Sequence, residues 1–193
     1  MKNYVMNNYI RNSHLRILLL VLAAAFVLTA CGPSEADNEK AAAAAAAAQK
    51  LAAEQVALVL PKDANDTIGW KKYLSAQVTK FTRDNEATVK ANHLYMYYVP
   101  GGDSQDAQNL RQQQLNNVTD NVISRGVLPG NLMAFGGPES KATADLIVDA
   151  FKGAADGSFK GVFVVFIGGA TDQDRVKDSL TKSGADFRFV EAK

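Results

Sequence analysis

The run from Gly161 to Gly169, "GVFVVFIGG", sets six consecutive β-branched or aromatic residues between glycines. Such a strand has no side to give to water, so both of its faces must be covered. That condition is met by the central strand of a parallel sheet with helices packed on it. The rest of the chain supplies the other parts. "HLYMYYVP", "NLMAFGG" and "DFRFVEA" read as strands, the last alternating as an edge strand should. "NDTIGWKKYLSAQVTKF" reads as a helix capped by Asp66, with Trp70, Leu74, Val78 and Phe81 on one face. Residues 104–124 carry Ala107, Leu110, Gln114, Val118 and Val122 at helical spacing. "PESKATADLIVDAFKG" has Pro138 near its first turn and Gly153 past its end, and "DQDRVKDSLTKSG" stops at Gly184. "QVALVLP" predicts one more short strand, closed by Pro61. Strand and helix thus alternate, which predicts a single three-layer α/β/α domain over 55–193 with a mostly parallel sheet of four to five strands. The strand order stays open.

The front of the chain is of another kind. Lys2, Arg11 and Arg16 are its only formal charges through residue 30, and Ile17 to Thr29 is an apolar run of thirteen residues. A membrane span needs roughly 20 apolar residues, so this run fits the core of a signal peptide over 1–30. It ends in Leu28-Thr29-Ala30-Cys31, and Cys31 is the chain's only cysteine. These four positions resemble the lipobox of bacterial lipoproteins. The resemblance implies that the Cys31 thiol receives a diacylglycerol, that the chain is cut before it, and that the new amino end is acylated. A buried core cysteine is the competing reading, but the "GPSEADNEK" that follows breaks the helix and continues no core. One acyl chain holds a protein only marginally on a membrane, whereas two or more hold it stably.

Residues 31–54 form the anchor and a spacer, with eight alanines in a row from Ala41 to Ala48. Alanine favours helix, yet this segment has no apolar stripe and no heptads, so neither a core face nor a coiled coil is expected. Three of the 21 basic residues lie in the signal, leaving 18 against 20 acidic, a net of −2. No nucleic-acid surface is expected from that balance. With Cys31 acylated, no thiol remains for disulfides, metal or catalysis.

Three strands end in paired glycines: Gly101-Gly102, Gly136-Gly137 and Gly168-Gly169, spaced 35 and 32 residues apart, about one βα unit each. In a parallel sheet these turns share the carboxyl edge, where open α/β sheets bind ligands near a reversal of strand order. An anion site there would use glycine backbone and helix N-termini. However, no phosphate-loop or dinucleotide motif is present, and acids follow each turn: Asp103, Glu139 and Asp172. These carboxylates complement the helix N-termini and repel phosphate. Tight structural turns are the favoured reading. A sugar, cation or peptide on a rim of Asp103, Glu139 and Asp172 is the alternative.

No catalytic constellation emerges. After the signal, His93 is the only histidine, and no G-x-S-x-G offers it a serine. No metal-ligand cluster is spaced for binding, and "DQDRVKD" lacks the central glycine and late glutamate of a calcium loop. No cofactor is expected. Tyr95 and Tyr97 should face one side of their strand and Tyr98 the other, between sheet and helices.

The layout of signal, Ala-rich spacer and compact domain with a "FVEAK" tail is similar to small envelope lipoproteins of Gram-negative bacteria. The resemblance implies a lipid anchor, and Gly32 rather than Asp after the cysteine implies the periplasmic face of the outer membrane over the inner membrane. The expected function is a tethered, non-enzymatic domain that binds an envelope protein, as an assembly factor or an immunity-type inhibitor. The alternatives are a small-ligand domain using the Gly-Gly edge, and third a hydrolase built on His93 or a carboxylate pair.

Overall fold

The computed structural model describes residues 35–193; Cys31 and the signal region lie outside the described residues. Helix α1 (Glu35–Ala57) contains the alanine run, and its side chains from Glu39 to Ala53 are exposed, as a helix without an apolar stripe must be. No helix among the described residues is long and apolar enough to cross a membrane. The expected strand in "QVALVLP" does not form. Its first residues complete α1 and the remainder turns toward Pro61. A short apolar run cannot by periodicity alone be told from the end of a helix, and the helix-forming run before it decides the outcome.

Helix α2 (Thr67–Asp84) starts where Asp66 accepts a hydrogen bond from the Gly69 N–H at 2.8 Å. Trp70, Tyr73, Leu74 and Val78 are buried on its inner face. Four strands follow: β1 (Leu94–Tyr98), β2 (Leu132–Gly136), β3 (Phe163–Gly168) and β4 (Asp186–Glu191). They are joined by α3 (Gln105–Val118), α4 (Ser140–Phe151) and α5 (Gln173–Leu180). The 104–124 helix is α-helical only to Val118 and finishes in a π-helical turn, Thr119–Ile123.

The sheet is parallel throughout, in the order β1-β2-β3-β4, with Leu94 beside Leu132, Leu132 beside Phe163 and Phe163 beside Asp186. β2 is buried along its whole length, and β3 is buried beyond Phe163, as its apolar run requires. One face, carrying Met133, Phe135, Val164 and Phe166, packs against α3, α4 and α5. The opposite face, carrying Leu132, Ala134, Val165 and Ile167, packs against α2. Each large side chain so buried contributes roughly 1.5–3 kcal/mol. All three crossovers therefore lie on one side, and the second side is covered by a helix that precedes the first strand. The strand order never reverses, so the crevice that a reversal opens at the carboxyl edge is absent.

Candidate functional site

Because the strands are parallel, the three Gly-Gly turns do lie along one edge. Their glycines answer to packing. A Cβ on Gly137 would overlap the Val99 carbonyl, and one on Gly168 would overlap the Phe166 ring and sit 2.9 Å from the Ser140 hydroxyl. Of the six, Gly102 alone has a left-handed backbone, φ +83°.

The polar groups of these turns are used on one another. The Gly102 N–H donates to Glu139 Oε1 at 2.6 Å, and Arg111 Nη1 donates to the carbonyls of Pro100 at 3.0 Å and Gly102 at 2.7 Å. Glu139 therefore leaves its own helix uncapped and bonds the neighbouring turn instead. Ser140 Oγ accepts from the Gly169 N–H at 2.7 Å and donates to Asp172 Oδ2 at 2.5 Å. Arg175 completes the lacing. Its Nε donates to Asp172 Oδ1 at 2.9 Å, its Nη1 to Asp145 Oδ1 at 2.6 Å and its Nη2 to the Lys141 carbonyl at 3.0 Å. Burial pushes the Asp145 carboxyl up, but hydrogen bonds and charge from Lys141 and Arg175 hold it below the usual carboxylate range. Burial likewise pushes the Arg175 guanidinium down, and Asp145 and Asp172 raise it further than that. The Gly102 and Gly169 N–H groups, which would help cradle an anion at the first and third turns, are thus already occupied.

Asp103 and Glu139 line one groove of about 320 Å³ between α3 and α4, which also holds Arg111, Lys141, Asp145 and Asp149. Asp172 is not in it; Ser140 and Arg175 hold that carboxylate. The groove has four acids and two cations. Arg111 is committed to backbone carbonyls and Lys141 to Asp145 at 2.7 Å, while Glu139, Asp145 and Asp149 also have partners and the excess of charge is acidic. Chemically it suits a cationic or neutral polar group.

Among the described residues Ser140 and Asp172 are the nearest approach to a nucleophile and its partner, but the hydroxyl already accepts the Gly169 N–H and no imidazole of those residues adjoins it. His93 lies before β1, at the amino edge, with its carbonyl accepting from the Leu132 N–H at 2.9 Å. The length of a strand, about 16 Å for five residues, separates it from the Gly-Gly turns. Among the described residues no three His, Cys, Asp or Glu gather as a metal site, and no buried side-chain polar atom lacks a partner.

The aromatic strand divides as alternation requires. Tyr97 stacks on Phe135 with ring centroids 4.8 Å apart, and burial pushes its phenol up to about 12. Tyr98 faces the α2 side, with Lys71 Nζ 5.8 Å from its ring centre. Contrary to the expected interlayer position, Tyr95 is 41% exposed, and its neighbours Leu94 and Met96 are 49% and 38% exposed. The sequence carries no signal for this: the edge position of β1 follows from the strand order, and no charge within β1 marks which residues remain wet. A second, more apolar hollow of about 810 Å³, lined by Ala53, Val59 and Leu60 among others, lies beside the start of α2 and was not foreseen from sequence.

No protein-family model, no curated protein and no solved structure matches the chain.

Proposed function

We propose that the chain is a bacterial lipoprotein, held by acylated Cys31 at the periplasmic face of the outer membrane, whose α/β domain binds protein. The observation that carries the binding half is β1: an uncharged edge strand with exposed Leu94, Tyr95 and Met96, in a domain whose first and third Gly-Gly turns are hydrogen-bonded to the turn between them. Apolar surface beside an open strand edge is what a protein partner covers. Its chemistry suits an assembly factor or an immunity-type inhibitor, neither of which needs a nucleophile. Met96→Lys places a charge on that edge. The variant should melt like the parent, because Met96 is exposed, yet lose any partner that co-purifies from solubilised envelopes. A partner retained by Met96→Lys, or none recovered in any growth condition, contradicts the proposal.

A second reading has one observation in its favour, the joining of Asp103 and Glu139 in the α3–α4 groove. It predicts that spermidine or another small cationic ligand raises the melting temperature of the parent and not of Asp103→Ala.

A further inference from the structure

A strand in a parallel pair bonds its neighbour through alternate residues. In β1 the inward set is fixed by the His93 carbonyl, which accepts from Leu132, and by the Val99 N–H, which donates to Gly136 at 2.8 Å. Between them, Leu94, Met96 and Tyr98 must send their N–H and C=O groups away from the sheet. Among the described residues no strand pairs with them.

Natural sheets guard such an edge with charges, proline or a bulge. The other edge of this sheet is guarded: β4 carries Asp186, Arg188 and Glu191, and the Arg188 guanidinium lies 5.6 Å from the Phe163 ring centre. β1 has none of these devices between Leu94 and Tyr98. One edge carries charges in its own strand; the other carries none there, and only Lys71 of α2 lies near it, over the Tyr98 ring.

We propose that a second copy of this chain pairs along β1, antiparallel, about a two-fold axis at Met96. In that register Leu94 of one protomer lies opposite Tyr98 of its partner, Met96 opposite Met96, and Tyr95 opposite Tyr97. Every outward N–H and C=O of Leu94, Met96 and Tyr98 then meets a complementary group, in a single sheet continuous across both copies. Leu94, Met96 and Tyr98 share the α2 face and Tyr95 and Tyr97 the other, so each exposed side chain gains an apolar or aromatic neighbour and no like charges meet. The two-fold also closes the assembly, leaving only the charged β4 edges outside.

The contact is small. Three partly exposed side chains and a five-residue strand fall well short of the roughly 800 Å² per partner of a standard interface. Such a dimer forms where copies are concentrated, and anchoring in one membrane plane does that. In this respect the inference rests on the lipid anchor proposed above. A second copy is also the one protein partner whose presence in that plane the anchor itself ensures, and it holds the β1 edge until the envelope protein proposed above displaces it.

Single cysteines test the register, because Cys31 is the chain's only native one. The mature protein, extracted with its anchor and reconstituted alone in phospholipid vesicles, is oxidised mildly. Met96→Cys should become a disulfide-linked dimer, since residues paired across the axis have Cα atoms about 5.5 Å apart, within disulfide reach. Leu94→Cys alone should stay monomeric, because its two copies lie about 13 Å apart along the strand. Leu94→Cys mixed with Tyr98→Cys should cross-link. Melting curves like the parent's show that the variants are folded. A monomeric Met96→Cys, or cross-linking of Leu94→Cys alone as strong as that of Met96→Cys, overturns the inference. Cross-linking of the parent chain is a different failure: it means that Cys31 keeps a free thiol, which removes the anchor. The register is then read in the Cys31→Ser background at high protein concentration, where the same pattern upholds pairing and its absence overturns it.

Discussion

Ser140 and Glu139 show how much of the carboxyl edge is decided by single side chains. Each reaches from the β2–α4 turn to the backbone N–H of a neighbouring turn, Glu139 to Gly102 and Ser140 to Gly169. Ser140→Ala leaves the Gly169 N–H and one Asp172 oxygen without that partner, so it should cost about 1–3 kcal/mol in urea unfolding. Gly137→Ala should cost a comparable roughly 1–3 kcal/mol, because its methyl group must displace the Val99 carbonyl. The acids after the glycines were legible in sequence as groups that fill helix N-termini. Their partners were not. Ser140 and Asp172 are 32 residues apart, and only the finished sheet brings them together. The same distance hid Arg175, which reads locally as one more surface charge on a short helix.

At the scale of elements, α4 and α5 are clamped through Asp145, Arg175 and Lys141. The Asp145 carboxyl is held below its usual range, so it contributes stability at pH values above that range. This contribution is lost as the pH falls through the depressed folded-state value. Asp145 is 43% exposed at the side chain, so solvent screens the contribution, and salt weakens it further. Asp145→Asn should therefore flatten the acid limb of a stability–pH curve at low salt and change it less at high salt. Tyr97 acts at the other limb. Its phenol is raised from 10.0 to about 12, so its contribution is full below pH 10 and is lost as the pH rises toward 12. Tyr97→Phe should keep more of its neutral-pH stability at pH 11 than the parent does, by urea unfolding at each pH. Element identity was largely legible: the β3 run, the Asp66 cap and the apolar face of α2 all stand where the pattern put them. The failure at "QVALVLP" marks the limit of short apolar runs, which take the conformation of whatever precedes them.

For the whole molecule the deciding fact is the sequential order β1-β2-β3-β4. Side-chain periodicity says that a strand is buried on two faces and says nothing of which strands flank it, so the order could not be read from the chain. It matters because a sheet without a reversal opens no crevice at its carboxyl edge, and the turns there are bonded to each other. Exposed apolar side chains next to an unpaired strand edge lie instead along β1, where a tethered domain can meet protein. On this account nucleotides and inorganic phosphate leave the melting temperature unchanged, and the edge variant Met96→Lys alters association without altering stability. Each of these expectations presupposes that the domain works from a membrane. The intact mass of the protein purified from envelopes tests that most directly. A lipid-anchored protein begins at Cys31 and carries the added mass of a diacylglycerol and an amide-linked acyl group. A full-length chain, or one cut elsewhere with an unmodified Cys31, would contradict the anchor.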